Sequence, residues 1–380
     1  MIPALVVIAC GIAIGLSAHH CAVAILVWRQ VRAIRGDGMP TSLDELAAWY
    51  PPEFPGPNAA PVYREAFAEL ADAADGRPRG EADVLPIVGD LDFLWGREPL
   101  TGELLTRGRQ FLAKRRRILA LLHKGADMPG CRHTVDWSHD GLVTFQERFM
   151  RTAWTGFEDS LFLQEGVREA VRLLCLKALV SSAEGLTAGE TNAIRDAVRV
   201  THSLDSLPML MTHLVTVASG IAILDSIEYL LKTYSLNPRS SSELNAALAA
   251  LDDEDALRRA YVGERCFGLT LGHVSRLERI GYDQRVAAVA AWAYDLAGFS
   301  RADDLYYLKV REKQIAAAEK PFPERRDAFD KLSAELEKRP AWRRRIGWDP
   351  SAETRNFEVD ATFLTRLRAI RSRLAGFDDG

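Results

Sequence analysis

Apolar residues recur at helical spacing along most of the chain. Val167, Val171, Leu174 and Ala178 repeat at intervals of 4, 3 and 4, and Met150, Trp154, Phe157 and Leu161 keep the same rhythm. Each set places an apolar stripe on one helix face. The pattern predicts a helix or helix pair over about 144–183, a break at 181–190 containing Gly185 and Gly189, and a second helix to about Leu204. Pro208 opens a third to about Tyr234, which Asn237-Pro238 closes. Its run LMTHLVTVASGIAIL lies between Asp205 and Asp225, so it reads as a buried core helix rather than a membrane span. Ser241 or Ser242 should cap the next helix, and Leu251–Asp255 should start another with acid in its first turn. Val359, Phe363, Leu367, Ile370 and Leu374 mark the last.

Local signals agree near the beginning of the chain. Ser42-Leu43-Asp44-Glu45 is a capping-box pattern and predicts a short helix to about Trp49. Prolines between 51 and 61 impose extended geometry, and Asn58 is an N-cap candidate with Pro61 in the following first turn. No alternating strand run stands out, and only 131–146 could hold a short hairpin or an ordered loop. The expected fold is all-α: an irregular helical bundle or short solenoid of helical hairpins after one N-terminal transmembrane helix.

That first helix is the strongest single signal. From Ile2 to Trp28 there is no Asp, Glu, Lys or Arg, a run long enough to cross a bilayer. Arg29, Arg32 and Arg35 follow it, which places the C-terminal side in the cytoplasm by the positive-inside rule, with an exported orientation still open. A cleaved signal peptide is the competing reading: Ala22-Val23-Ala24 offers a small-residue site, but a basic n-region is missing and apolar residues continue past it. A buried soluble helix is a third reading, disfavoured by the length. Gly11 and Gly15 form a small-xxx-small pair suited to a homodimer. His19 and His20 inside the run suggest a proton or metal role, but they read more simply as neutral rings near one end of the span. The chain divides into an anchor at 1–28, a basic juxtamembrane and Pro-rich linker at 29–62, and a helical domain at 63–380.

Composition narrows the classes. The 380 residues carry 48 basic and 52 acidic side chains, a net charge of -4, with 48% apolar residues. That excludes a disordered chain and argues against a nucleic-acid partner. Five cysteines without CxxC spacing build neither a disulfide framework nor a zinc ribbon. The basic runs Arg107–Arg117 and Arg343–Arg345 suit anionic lipid headgroups, though a solvated face explains them more simply.

Chemistry-bearing residues are few. Cys131, His133, Asp136, His139 and Asp140 form the richest polar cluster. It suggests a metal held by Cys131, His133 and His139, or Cys/His catalysis with Asp136, yet the spacing matches no standard zinc site. The plainer reading is a structured loop packed by Trp137. His202 and His213 stand eleven apart, with Pro208 breaking any shared face. Glu264 is a catalytic candidate, or pairs with Arg265 to lock two helices. No HExxH, P-loop, GxSxG or dinucleotide fingerprint occurs, and no cofactor is implied.

Four short motifs, Tyr50-Pro-Pro, Asn58-Ala-Ala-Pro-Val-Tyr63, Cys131-Arg-His-x-x-Asp136-Trp137 and Gly263-Glu-Arg265, together resemble a family of planctomycete-type bacterial proteins. The likeness covers roughly 45–270 as separate motifs. It implies an N-terminal hydrophobic segment followed by an all-helical domain, and no catalytic residue. The expected function is a single-pass membrane-anchored helical interaction or scaffold protein, touching lipid through residues 2–28 and a protein partner or second copy elsewhere. The alternative is a membrane-tethered hydrolase or metal-dependent enzyme using the Cys131–Asp140 cluster.

Overall fold

The computed structural model describes residues 2–50, 55–75, 100–134, 155–234, 236–274, 298–338 and 350–376, with side chains for most of them. All regular structure among these residues is helical; one isolated bridge, Asn58 to Gly130, is the only strand-like pairing among them. The chain forms two compact units. Unit 1 comprises 1–50, 136–156 and 257–354; unit 2 comprises 51–135, 157–256 and 355–380.

Unit 1 begins with α1, a single helix Ile2–Gly36 that runs through Arg29–Arg35 without a break. Helix α2 (Leu43–Trp49) follows. Its N-cap Ser42 accepts a hydrogen bond from the Glu45 amide at 3.2 Å, as the capping box requires. The reciprocal arm lands one residue early, because Glu45 accepts from the amide and hydroxyl of Thr41 at 2.7 and 2.9 Å. From Leu257 onward this unit contains most of α10 (Ala256–Val274), then α11 (Phe299–Ala318) and α12 (Phe322–Glu337). Val23, Val27 and Ile34 of α1 pack with Leu308 of α11, flanked by Ala302, Leu305 and Leu269. The spacing 23, 27, 34 is a helical stripe, so only one face of this apolar helix is covered.

Gly263–Gly268 lies in the middle of α10. Glu264 and Arg265 do not pair with each other. Arg265, only 1% exposed, bonds Glu312 of α11 and donates to the Pro40 carbonyl at 2.7 Å. Glu264 stands 3.7 Å from Arg311. Successive residues on a helix point about 100° apart, so each meets a different partner.

Unit 2 contains α3 (Ala60–Asp75), α4 (Gly102–Lys114), α5 (Arg116–Ala126), nearly all of α6 (Thr155–Ala183), α7 (Thr187–His202), α8 (Leu210–Thr233), α9 (Pro238–Leu248) and, from Arg355, most of α13 (Pro350–Ala375). Helix α7 is central, packing against α5, α8 and α9, while α3 lies along α5. The stripe Val167, Val171, Leu174 and Ala178 is buried at 1% exposure or less. Leu161, assigned by spacing to the earlier stripe, is exposed. Helix α6 stops at Ala183 and the chain turns at Gly185. The cap of α9 is Asn237 rather than Ser241 or Ser242: its side chain accepts from the Ser240 amide at 2.8 Å, with Pro238 in the first turn.

Helix α8 is long and apolar enough to cross a membrane by length and composition, and it lies mid-chain rather than at the N-terminus. More than half of its most apolar window is buried within the protein. Its acid Asp225 is bound by Arg366 of α13 at 2.7 Å. On α13, Phe363, Leu367, Ile370 and Leu374 are buried, whereas Val359 is 40% exposed.

Candidate functional site

The Cys131–His133 segment is held by Asn58, two residues before the start of α3. Asn58 Oδ1 accepts from the amides of Ala60 at 3.1 Å and Arg132 at 2.8 Å, and its Nδ2 donates to the Arg132 carbonyl at 2.9 Å. One side chain thus caps a helix and pairs with both polar groups of a residue 74 positions away. The Ala59 amide donates to Gly130 O at 2.9 Å, Arg64 to Thr134 O at 3.1 Å, and the His133 amide to Ser206 Oγ at 3.1 Å. The described parts of two short motifs, Asn58–Tyr63 and Cys131–His133, are therefore joined directly.

His133 Nε2 lies 3.5 Å from Cys131 Sγ. Burial pushes the thiol up to about 12. Burial, aided by the nearby Arg64 cation, pushes His133 down to about 4. Near neutral pH the pair is a protonated thiol beside a neutral imidazole. Cysteine catalysis needs the thiolate, and a general base works best with a pKa near ambient pH. This environment disfavours both. Among the described residues the buried His133 Nδ1 has no hydrogen-bond partner. Asp136, His139 and Asp140, with Trp137, lie outside the described residues. Among the described residues no three His, Cys, Asp or Glu side chains gather so as to hold a metal ion.

Beside this segment stands Tyr63 of α3, 1% exposed and stacked on Phe67 at 6.0 Å between ring centroids. Its ring occupies the space where a side chain at Gly125 would be: a Cβ there would lie 2.5 Å from Tyr63 Cε1. Burial, then the adjacent Cys131 and Asp196, push the phenol above its usual range. Asp196 is fully buried, with His123 Nδ1 at 2.8 Å and Arg195 Nη2 at 3.1 Å. Arg195 also reaches Asp127 at 2.9 Å. This network, anchored on the buried Asp196, carries no motif; its one sequence trace is an acid on the buried side of α7.

A second polar group surrounds a cleft lined by His202, Asp205, His213, Thr216, Asp253 and Asp360. His213 Nε2 lies 2.9 Å from Asp360 Oδ1, both nearly buried, and His202 Nδ1 lies 2.8 Å from Asp205 Oδ2. The Asp205 hydrogen bond holds His202 above its usual range, against the pull of burial. The helix does break between the two histidines, as Pro208 demands, yet packing returns both to one cleft. Asp360 occupies a position on the apolar stripe of α13, a signal open to sequence reading. The cleft volume is about 20 Å³, room for a water or two but not for an organic substrate. The Thr216 hydroxyl donates to the Thr212 carbonyl at 3.2 Å, so no activated nucleophile faces the imidazole from there.

The remaining candidates are also engaged. Glu264 belongs to unit 1, in the α10–α11 ion pairs described above. In the first basic run, Arg107 pairs with Glu103, Arg109 with Glu184, and Arg117 with Glu65 and Glu69, so much of its charge is balanced within unit 2. Arg343–Arg345 lie outside the described residues. No family model, curated protein or solved structure matches the chain.

Proposed function

We propose that this chain is a single-pass membrane-anchored helical interaction or scaffold protein. Its soluble helices form an irregular bundle that offers surfaces rather than a reaction centre. One observation carries the reading: α1, free of charge from Ile2 to Trp28, leaves large apolar side chains outside the fold, with Ile14 70% exposed. Exposed apolar surface on this scale marks a contact with lipid or protein. The described histidine–carboxylate pairs point the same way, because His123–Asp196, His202–Asp205 and His213–Asp360 are each engaged within unit 2. Cross-linking of the full chain in intact membranes tests the proposal. The same partner should be recovered in every replicate; a chain that cross-links to nothing and is monomeric in detergent contradicts it. Stoichiometric zinc in the purified full chain, lost on His133→Ala, would replace it with the enzymatic reading.

A further inference from the structure

Helix α1 is longer than a membrane anchor needs to be, and from His20 onward it is packed against the rest of unit 1. At His20 the backbone of α1 lies against Gly298, which has φ +77°. A Cβ at 298 would sit 2.7 Å from His20 Cα, so glycine is required both for the turn and for the approach. The next residue, Phe299, places its ring 6.1 Å from that of His19. From there toward the C-terminus α1 is docked on α11 through Val23, Val27 and Ile34.

Helix α11 cannot lie in hydrocarbon. Between Arg301 and Lys313 it carries Arg301, Asp303, Asp304, Lys309, Arg311, Glu312 and Lys313. Asp304 and Arg311 are buried in the protein, but Lys309 and Lys313 are exposed, and each charge that meets lipid costs about 2.5–3.5 kcal/mol at the centre of a bilayer on insertion scales. Whatever is packed along α11 shares its depth. The α1 side chains at that level agree, because the Arg32 guanidinium lies 5.1 Å from the Trp28 ring centroid. On the other side of His19, Ile2–Ala18 is 17 residues without a charge, about 25 Å of helix at 1.5 Å per residue. That is close to the hydrocarbon thickness of about 30 Å.

Resting on the anchor proposed above, we infer that the bilayer surface meets α1 at His19–His20, not at Trp28. Ile2–Ala18 faces lipid. Val23–Gly36 of the same unbroken helix is part of the water-soluble core of unit 1. The two imidazoles and Phe299, 47% exposed, lie in the headgroup layer, where rings with one apolar and one polar side are favoured. The anchor therefore has no flexible joint to unit 1 and fixes that unit's depth at the membrane.

Thiol labelling of the full chain in open membrane fragments, where both faces meet the reagent, tests this. Ile14→Cys and Ile25→Cys are compared, since both positions are exposed in the structure, at 70% and 51%. The probe is a charged, water-soluble maleimide, with labelled peptides identified by mass. Position 25 should label at once and position 14 only after detergent. Native Cys10 and Cys21, both exposed, give the same test without substitution: Cys21 reactive, Cys10 protected. If both positions stay protected until detergent, the boundary lies nearer Trp28, and the inference fails while the anchor stands. If both label without detergent, the anchor itself fails. Labelling at 14 alone overturns the inference as well.

Discussion

Replacing His133 by glutamine should change how the stability of the chain depends on pH. The ring is 4% exposed in the folded protein, where burial and then Arg64 hold its pKa at about 4, against 6.5 for the unperturbed side chain. The folded state keeps His133 neutral down to about pH 4, whereas the unfolded state takes up a proton below about 6.5. The stability contribution is thus present above the unfolded pKa and lost as pH falls toward the folded one. At about 1.4 kcal/mol per pH unit, the loss between pH 7 and pH 5 is about 2 kcal/mol from this one ring. Glutamine retains a polar atom near the Nε2 position, facing Cys131, and does not titrate. Urea unfolding of the full chain in detergent, at both pH values, gives the comparison. Carboxylates titrate in both proteins and cancel in the difference. The His133→Gln variant should lose about 2 kcal/mol less than the wild type between pH 7 and pH 5. Equal losses would show that His133 is hydrated or paired in the folded chain, and would reopen the catalytic reading of Cys131.

Three further outcomes follow from the packing. Glu312→Ala should destabilise unit 1 by about 3–5 kcal/mol, because it strands the buried Arg265 cation, while Arg265→Met should cost less since Glu312 can turn to water; thermal unfolding of both variants decides the order. Gly298→Ala, forced into a left-handed conformation and against the His20 backbone, should loosen α1 and speed tryptic cleavage at exposed Arg29 and Arg32; an unchanged cleavage rate would contradict the contact. His202, whose pKa is raised by Asp205, should stabilise the fold below its unfolded value of about 6.5 and lose that contribution as pH rises through the folded value. His202→Gln should therefore cost more at pH 6 than at pH 9, and a pH-independent cost would argue against the pair.

What the sequence made legible was local. The α6 stripe, the Ser42 cap and the length of α8 depend on neighbours within a turn or two, so spacing alone reveals them. The apolar run of α1 was equally plain, but its docking on α11 was not, because the partner helix begins some 280 residues later. The same distance problem hid the Asn58 clamp on Arg132 and the His123–Asp196 pair. Asp360 carries a legible signal: an acid on the apolar stripe of α13 needs a buried partner, and His213 on the apolar helix α8 is that partner. The Cys131 cluster looked reactive from residue types alone. Burial, which composition does not report, is what sets those groups far from working pKa values.

An anchored scaffold requires α1 to be held in lipid. Membranes from cells producing the full chain, washed at high salt and then at alkaline pH, give the direct measurement. The intact chain should stay in the pellet through both washes and leave it only with detergent. Recovery of the chain in the alkaline supernatant, or of material lacking its first two dozen residues, would contradict the account.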